Sequence, residues 1–325
     1  MKFADIMKLW TLVTMMKAIN QLKTSGTFVF DKYFAKKGKP VFGNTATLKI
    51  KKGASIVLNV IEPGADRLVK STKDIYELTI KLPRFGLSGQ ILAHEMNEFE
   101  SLEGEAKVES VSQKITEILA EHKNDYMTTI EYMATGALFG KVVDGEGTVL
   151  FEFNTTADPI EFKAKDNIKV LDEIDTALVD ELGTEVPYEI LADATFISRV
   201  AADAETQNFF QTGQAKWLDE EGKRVLVVHS KRYVPFRASW IDADGNKQAF
   251  IAEGEAVVIP LSADVFQYVY GRADHIEAVK VAPKLFFAAK PEPLEKGKGW
   301  GLETETKMIP FCVRPGALIK LKFSA

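Results

Sequence analysis

The chain has 325 residues, of which 46% are hydrophobic and 27% are charged. This balance is typical of a globular protein and excludes intrinsic disorder and fibrous low-complexity structure. The single cysteine, Cys312, excludes a disulfide framework and a cysteine-ligated zinc site within one chain. No apolar run approaches the length of about 18 residues that a membrane-spanning helix needs.

The charges are unevenly distributed along the chain. Residues 1–90 carry 16 Lys and Arg against 6 Asp and Glu, a net charge of +10, whereas residues 91–325 carry 25 against 40, a net charge of −15. A basic first quarter is compatible with a nucleic-acid-binding arm. It is also compatible with an arm that docks on the acidic body of an identical neighbour, which favours head-to-tail assembly. The lysines alternate with apolar residues along predicted strands, which favours the second interpretation.

The first predicted element is one amphipathic helix. Its apolar stripe recurs every three or four positions and consists of Ile6, Leu9, Trp10, Val13, Met16 and Asn20. Asp5 and Lys17 interrupt the apolar run and no small-residue cleavage site follows, so a helix packed on protein is favoured over a signal peptide or a membrane anchor. The aromatic residues at 27–34 predict a short buried anchor after the helix.

A long two-stranded ribbon is predicted over residues 45–90. Residues 45–52 and 75–82 both alternate between apolar and polar positions, and turn chemistry at 62–65 lies between them. The ribbon is basic, and its edges and apolar rows need a cover that a two-stranded ribbon cannot supply itself. We therefore predict that it leans on another copy of the chain, through the residues Lys49, Lys51, Lys52, Gly64, Arg67, Lys70 and Lys73.

A single long helix is predicted over residues 105–135, which contain no Gly or Pro and carry one helical apolar stripe. Its 31 residues would span about 46 Å, and Gly136 is predicted to cap its C-terminus. Two shorter helices joined by a kink are the alternative.

The remainder of the chain mixes helices and strands without a regular βαβ repeat, which predicts an α+β fold. A hairpin is predicted at 140–153 and helices at 166–182 and 193–210. Strands are predicted at 187–191, 225–229, 233–241, 247–251, 285–289, 304–313 and 317–323.

No catalytic or metal-binding motif is complete. The segment that starts at His94 lacks the second histidine of a zinc-protease helix, and the turn around Gly245 lacks the first and last acidic ligands of a calcium loop. Cys312 lies in an apolar run and is predicted to be an inert buried thiol. A soluble hydrolase with a carboxylate pair and a DNA-binding module remain as alternatives.

Four short segments resemble the lambda-type phage major capsid protein E family. The clearest runs from Gly299-Trp300 through Met308-Ile309-Pro310-Phe311 to Arg314-Pro315 and is similar to the closing motif of that family. The other three segments occur in the same order as in the family. They are Phe28–Phe34, Met133-Ala134-Thr135-Gly136 and Tyr270-Gly271-Arg272-Ala273-Asp274. The resemblance extends over residues 27–323.

The resemblance implies the tailed-phage major capsid fold of the Hong Kong ninety-seven type. It implies an N-terminal arm at 1–44, an extended loop at 45–90, a peripheral domain at 91–156 with a spine helix at 103–136, an axial domain at 157–265, and a return to the peripheral domain at 266–325. A bacterial cargo-encapsulating (encapsulin-like) shell protein shares this fold and is the alternative.

The implied function is self-assembly into the icosahedral head of a tailed phage or prophage, without catalysis or a cofactor. The implied partners are copies of the chain as hexamers and pentamers, a portal protein, a separate scaffolding protein, a decoration protein and packaged double-stranded DNA that is bound without sequence-specific contacts; no membrane is implied. The implied location is the virion capsid, with the host cytoplasm before assembly.

Overall fold

The computed structural model describes residues 2–24, 27–35, 37–51, 75–153, 158–163, 165–220, 222–237, 239–241, 244–249, 251–261 and 265–323. The chain forms two compact units. The first unit contains the chain up to Ala46 together with Thr79–Glu131 and Tyr268–Pro310. The second unit contains Thr47–Leu78, Tyr132–Gln267 and the chain from Phe311 onwards. The predicted α+β class is confirmed.

The α-helices of the described residues are α1 (Phe3–Met7), α2 (Leu12–Gln21), α3 (Ala93–Glu100), α4 (Gly104–Leu138), α5 (Asn167–Leu182) and α6 (Ala194–Thr206). A π-helix covers Phe30–Phe34, and short 3₁₀ turns cover Ile276–Lys280, Glu295–Gly297 and Pro315–Ala317.

The strands of the described residues, in chain order, are β1 (Gly38–Val41), β2 (Thr45–Lys51), β3 (Ile75–Lys81), β4 (Arg84–Leu92), β5 (Lys141–Val143), β6 (Val149–Glu152), β7 (Ile160–Phe162), β8 (Tyr188–Ala192), β9 (Ala215–Glu220), β10 (Lys223–Val228), β11 (Lys231–Pro235), β12 (Ser239–Ile241), β13 (Lys247–Ala249), β14 (Glu255–Pro260), β15 (Phe266–Gly271), β16 (Phe286–Ala288), β17 (Glu292–Pro293), β18 (Gly299–Cys312) and β19 (Ile319–Phe323).

The predicted N-terminal helix over residues 6–20 is wrong as a single element, because the structure divides it into α1 and α2. Residues 8–11 separate the two helices. The Thr11 side chain accepts a hydrogen bond of 3.3 Å from the Thr14 amide and caps the start of α2. Threonine at this position therefore starts a second helix where the apolar spacing alone suggests continuity.

The long helix α4 is confirmed, but its predicted C-terminal cap is wrong. Gly136 lies inside the helix, which continues to Leu138. A Cβ atom at Gly136 would lie 2.5 Å from the backbone oxygen of Lys141 at the start of the hairpin β5–β6. Glycine is therefore required because the helix and the hairpin backbone approach closely.

The sheet of the first unit is built around β18, which pairs with several neighbours. The strand order is β1-β15-β18-β16, and β4 and β17 also pair with β18. β4 is antiparallel to β18 over nine residue pairs, from Gly299 opposite Leu92 to Lys307 opposite Arg84. The apolar side chains Leu302, Met308 and Ile309 are buried, so β18 forms the centre of this unit's core.

The second unit contains a seven-stranded mixed sheet in the order β7-β19-β14-β8-β11-β10-β9. Its central strand β8 is buried along its whole length. Phe196 of α6 packs edge-on against Phe162 of β7 and Phe323 of β19, which fixes that helix on the sheet. The predicted strand over 233–241 is wrong as one element: it divides into β11 and β12, and β11 ends opposite Ala192, the last residue of its partner strand β8.

Candidate assembly surfaces

The predicted ribbon is formed by β2 and β3, which pair with each other as a separate two-stranded sheet. On β2 the apolar side chains Ala46, Leu48 and Ile50 are buried and the alternate positions are exposed. On β3, by contrast, large hydrophobic side chains remain in solvent: Ile75 is 41%, Tyr76 53% and Leu78 40% exposed. Tyr76 and Leu78 share one face of β3 and Ile75 lies on the other. Such a group of exposed hydrophobic residues on one short strand is typical of a surface that another molecule covers.

The basic residues predicted to make inter-subunit contacts are described only in part. Lys49 forms an ion pair of 3.2 Å with Glu77 across the ribbon, and both side chains are largely exposed. The backbone amide of Lys51 donates a hydrogen bond of 2.7 Å to the carbonyl of Val313 in the same unit. The remaining predicted contact residues, Lys52, Gly64, Arg67, Lys70 and Lys73, lie outside the described residues.

We expect Lys49→Ala to leave the subunit almost as stable as the wild type. Both partners of the Lys49–Glu77 pair are more than half exposed, and such a surface pair contributes about 0–1 kcal/mol. Denaturant unfolding of the unassembled subunit measures this; a loss above about 2 kcal/mol would mean that the pair holds the ribbon together.

The predicted aromatic anchor is buried in the first unit. Phe30, Tyr33 and Phe34 are buried in the π-helix, and the ring of Phe30 packs against Tyr268 at a centroid distance of 5.1 Å. The Glu131 side chain of α4 accepts three backbone hydrogen bonds of 2.8–2.9 Å from Phe28, Val29 and Phe30. Sequence reasoning missed Glu131, because a lone glutamate within a charged helix gives no signal.

The segment resembling the closing motif contains a strained junction between strands. Gly299 has a φ of +147°, and a Cβ atom there would lie 2.1 Å from the backbone oxygen of Ile91. Glycine therefore permits the first residue of β18 to lie directly against the end of β4. Gly299 of this motif is therefore required by the packing of β18 against β4.

Polar groups buried beside this sheet are arranged for structure. His122 of α4 and the Thr304 hydroxyl of β18 are hydrogen-bonded at 2.8 Å, and the Tyr126 hydroxyl lies 2.9 Å from the same threonine oxygen. Burial lowers the pKa of His122, so the ring is held neutral at physiological pH. Burial raises the pKa of the Cys312 thiol, which keeps it protonated and unreactive.

The described residues contain no group of three or more His, Cys, Asp or Glu side chains placed to hold a metal ion. Within the same ranges, no helix is both long and apolar enough to cross a membrane. The grooves found on the described surface are open; one of about 330 Å³ is lined by Arg84, His275, Glu303 and Glu305, with Arg84 and Glu305 already paired at 2.6 Å. The ribbon is the candidate assembly surface that the sequence predicted, and it exposes three large hydrophobic side chains within four consecutive residues of one strand.

The fold is similar to solved structures that are described as capsid proteins. The chain is similar to a protein described as a capsid protein of a prophage from E. coli CFT073, at 11% identity and a TM-score of 0.61 over 97% of this chain and 99% of that chain. It is similar to the mature capsid of bacteriophage PhiM1 (12% identity, TM-score 0.52, 94% and 89% covered) and to the capsid of cyanophage P-SCSP1u (12%, 0.51, 94% and 91%). These likenesses define the tailed-phage capsid fold.

A family model described as phage major capsid protein E matches residues 11–323. The chain belongs to this family, as its four motif-like segments predicted. It is accordingly a structural protein of a phage capsid, whose shell is assembled from copies of the chain. The comparison with curated protein sequences gave no significant match.

Proposed function

We propose that the β2–β3 ribbon is the clamp that joins each subunit to its neighbour in the shell. The observation that carries this proposal is the exposure of Ile75, Tyr76 and Leu78 on β3. A strand that leaves such residues in solvent has lower free energy when a second molecule covers it. The basic residues of the ribbon, from Lys49 to Lys73, would supply additional attraction to the acidic remainder of a neighbouring copy.

The contact is of the heterologous kind, because the ribbon of one copy meets a different surface on the next. Heterologous contacts close into rings, which we infer to be the hexamers and pentamers of an icosahedral head. Each contact need contribute little, because every subunit makes several and their effects multiply.

We further infer the division into an arm at 1–44, a loop at 45–90, peripheral segments at 91–156 and 266–325, and an axial domain at 157–265. The role is structural and not enzymatic. The subunit would reside in the host cytoplasm before assembly, with a portal protein, a separate scaffolding protein and a decoration protein as partners of the shell.

The enclosed molecule would be double-stranded DNA, held without sequence-specific contacts. The net charge of −5 supports this, since a dense cationic lining would bind the phosphate backbone tightly and hinder its packing and release.

Expression of the chain, with and without its scaffolding protein, followed by size exclusion and negative-stain electron microscopy, tests the proposal. We expect rings or closed shells. A subunit that stays monomeric at high concentration in both preparations would contradict it.

A further inference from the structure

The two most exposed large hydrophobic side chains of the described residues belong to the first unit. Ile276, in the 3₁₀ turn Ile276–Lys280, is 80% exposed, and Val13 of α2 is 76% exposed. Val279 of the same turn is 57% exposed. Residues three positions apart in a 3₁₀ helix lie on one side of it, so Ile276 and Val279 form a single apolar ridge.

The helix α2 and the 3₁₀ turn lie side by side. Leu12 and Met16 of α2 pack against the buried cluster that contains Ala278 of the turn. Val13 lies three positions before Met16 and therefore on the adjoining part of the helix surface. The exposed side chains thus belong to one stretch of surface, which we call the apolar patch and which consists of Val13, Ile276 and Val279.

The surface around the apolar patch is basic. Residues 2–24 and 272–290 together carry eight Lys and Arg against three Asp and Glu, a net charge of +5. The three acidic side chains are already in ion pairs, which are Asp5 with Lys8 at 3.2 Å, Asp274 with Arg84 at 3.7 Å and Glu277 with Lys290 at 3.1 Å.

Two lysines at the apolar patch keep their charge available. Lys17 lies one turn of α2 after Val13, and Lys280 directly follows Val279. Both side chains are exposed, and neither is in an ion pair within the described part of the chain. The patch therefore presents aliphatic and unpaired cationic groups side by side.

This combination selects the chemistry of a partner. Nucleic acid would pair its phosphates with the lysines but offers nothing that covers aliphatic side chains. Lipid surfaces bind amphipathic helices with a long apolar face that carries Trp, Phe or Leu, whereas this patch has three β-branched side chains. A protein segment with apolar and acidic side chains matches both properties of the patch.

The size of the patch favours a single helix as the bound segment. A stable contact between two folded surfaces buries roughly 800 Å² on each side, and three aliphatic side chains supply only part of that area. An amphipathic helix presents its apolar anchors every three or four residues, with charged side chains beside them. The patch, formed by α2 and one 3₁₀ turn, offers anchor points of this kind.

A second copy of the chain is the less suitable source of such a helix. α5 carries five acidic residues and one lysine, but its apolar side chains are already buried in its own unit. These side chains are Val170, Leu171, Ile174 and Leu178. Their release would cost the second unit its own packing.

We propose that the apolar patch docks one acidic amphipathic helix of a different protein. The apolar side chains of that helix lie on Val13, Ile276 and Val279, and its carboxylates lie at Lys17 and Lys280. This contact is separate from the clamp function of the ribbon. Its test uses the unassembled subunit, so either proposal can fail without the other.

Fluorescence anisotropy of the unassembled subunit with a labelled peptide tests the docking. The probe is a peptide of Leu, Ala and Glu, about 18 residues long and therefore able to form an acidic amphipathic helix. We expect saturable binding to the wild type that weakens with added salt. Replacement of Val13, Ile276 and Val279 by serine should weaken binding at least about tenfold, with the circular dichroism of the subunit unchanged.

Two matched variants separate the patch from other exposed surfaces. Both the replacement of the ribbon residues Ile75, Tyr76 and Leu78 by serine and that of Val149, Ile168 and Val179 should leave peptide binding unchanged, since these side chains lie outside the patch. A peptide with Lys in place of Glu should not bind, because Lys17 and Lys280 repel it.

Absence of binding to the wild type, or equal binding to the patch variant, would overturn the proposal. The same serine variant also tests the other occupants. Vesicles of phosphatidylserine and phosphatidylcholine, a DNA duplex, and self-association in sedimentation velocity replace the peptide in three further measurements. Binding in any of these that the wild type shows and the patch variant loses would assign the patch to that occupant and overturn the proposal.

Discussion

Replacement of Ile75, Tyr76 and Leu78 by serine should leave the subunit folded but abolish shell assembly. Each of these side chains is 40–53% exposed in the subunit, so its removal costs little folding stability. If the exposed half of each side chain is buried in the shell, the serine variant loses roughly 1 kcal/mol of association free energy per side chain, or about 3 kcal/mol per contact between subunits. That is more than a hundredfold in the affinity of one contact, and every contact in the shell is affected.

The measurement combines circular dichroism and thermal unfolding of the subunit with light scattering and electron microscopy of the assembly reaction. A matched control replaces Val149, Ile168 and Val179 by serine, since these residues are similarly exposed but lie outside the ribbon. The control should assemble normally. Normal shells from the ribbon variant would show that β3 is not the clamp. Deletion of residues 54–73 should likewise leave a folded subunit that does not assemble.

Gly299→Ala should have the largest effect on the stability of the subunit, roughly 3–5 kcal/mol, because two penalties combine. A φ of +147° is accessible almost exclusively to glycine, and the added methyl group would lie 2.1 Å from the backbone oxygen of Ile91. Backbone cannot move aside as a flexible side chain does, so β4 and β18 must separate at this end.

Gly297→Ala is the control for this effect, because Gly297 has a φ of +69° but no atom within 4 Å of the added carbon. It should cost only the conformational penalty, about 1–2 kcal/mol. Denaturant unfolding of both variants measures the difference. Equal losses in the two variants would mean that close packing against Ile91 does not hold the end of β18 in place.

The sequence predicted best those elements whose signal is local. The helix α4 was predictable because 31 residues carry one apolar stripe without a breaker, and β2 and β3 because their residues alternate. Gly136 was misassigned as a cap, since a glycine needed for a close approach to Lys141 is indistinguishable in sequence from a glycine that ends a helix.

Strands that depend on tertiary pairing were missed. β4 carries Gly86 and Gly89, which oppose strand formation, yet nine residue pairs with β18 hold it extended. At Gly89 a side chain would collide with Ile118 of α4, so glycine is required there by helix packing. β14 has a continuous apolar run and no alternation, and such a run does not distinguish a buried strand from a buried helix.

The position of the candidate assembly surface was predictable from the sequence, but the exposure of its hydrophobic side chains was not. Sequence reasoning identified a basic ribbon and emphasised its lysines. The exposure of Ile75 and Leu78 required coordinates, because the alternation along β3 predicts an apolar face but does not show whether the subunit itself covers that face. The contacts of Lys107, Lys123 and Glu131 with the N-terminal residues 3, 22 and 30 join positions about 100 residues apart, and no local pattern specifies them.

In the proposed shell, the ribbon of one subunit lies on the next subunit. A cryo-electron microscopy reconstruction of the assembled shell, at a resolution that traces the backbone, tests it directly. We predict density for β2 and β3 that crosses the subunit boundary, with Ile75, Tyr76 and Leu78 buried against a neighbouring copy. A shell in which β3 remains exposed to solvent, or folds onto its own subunit, would contradict the account.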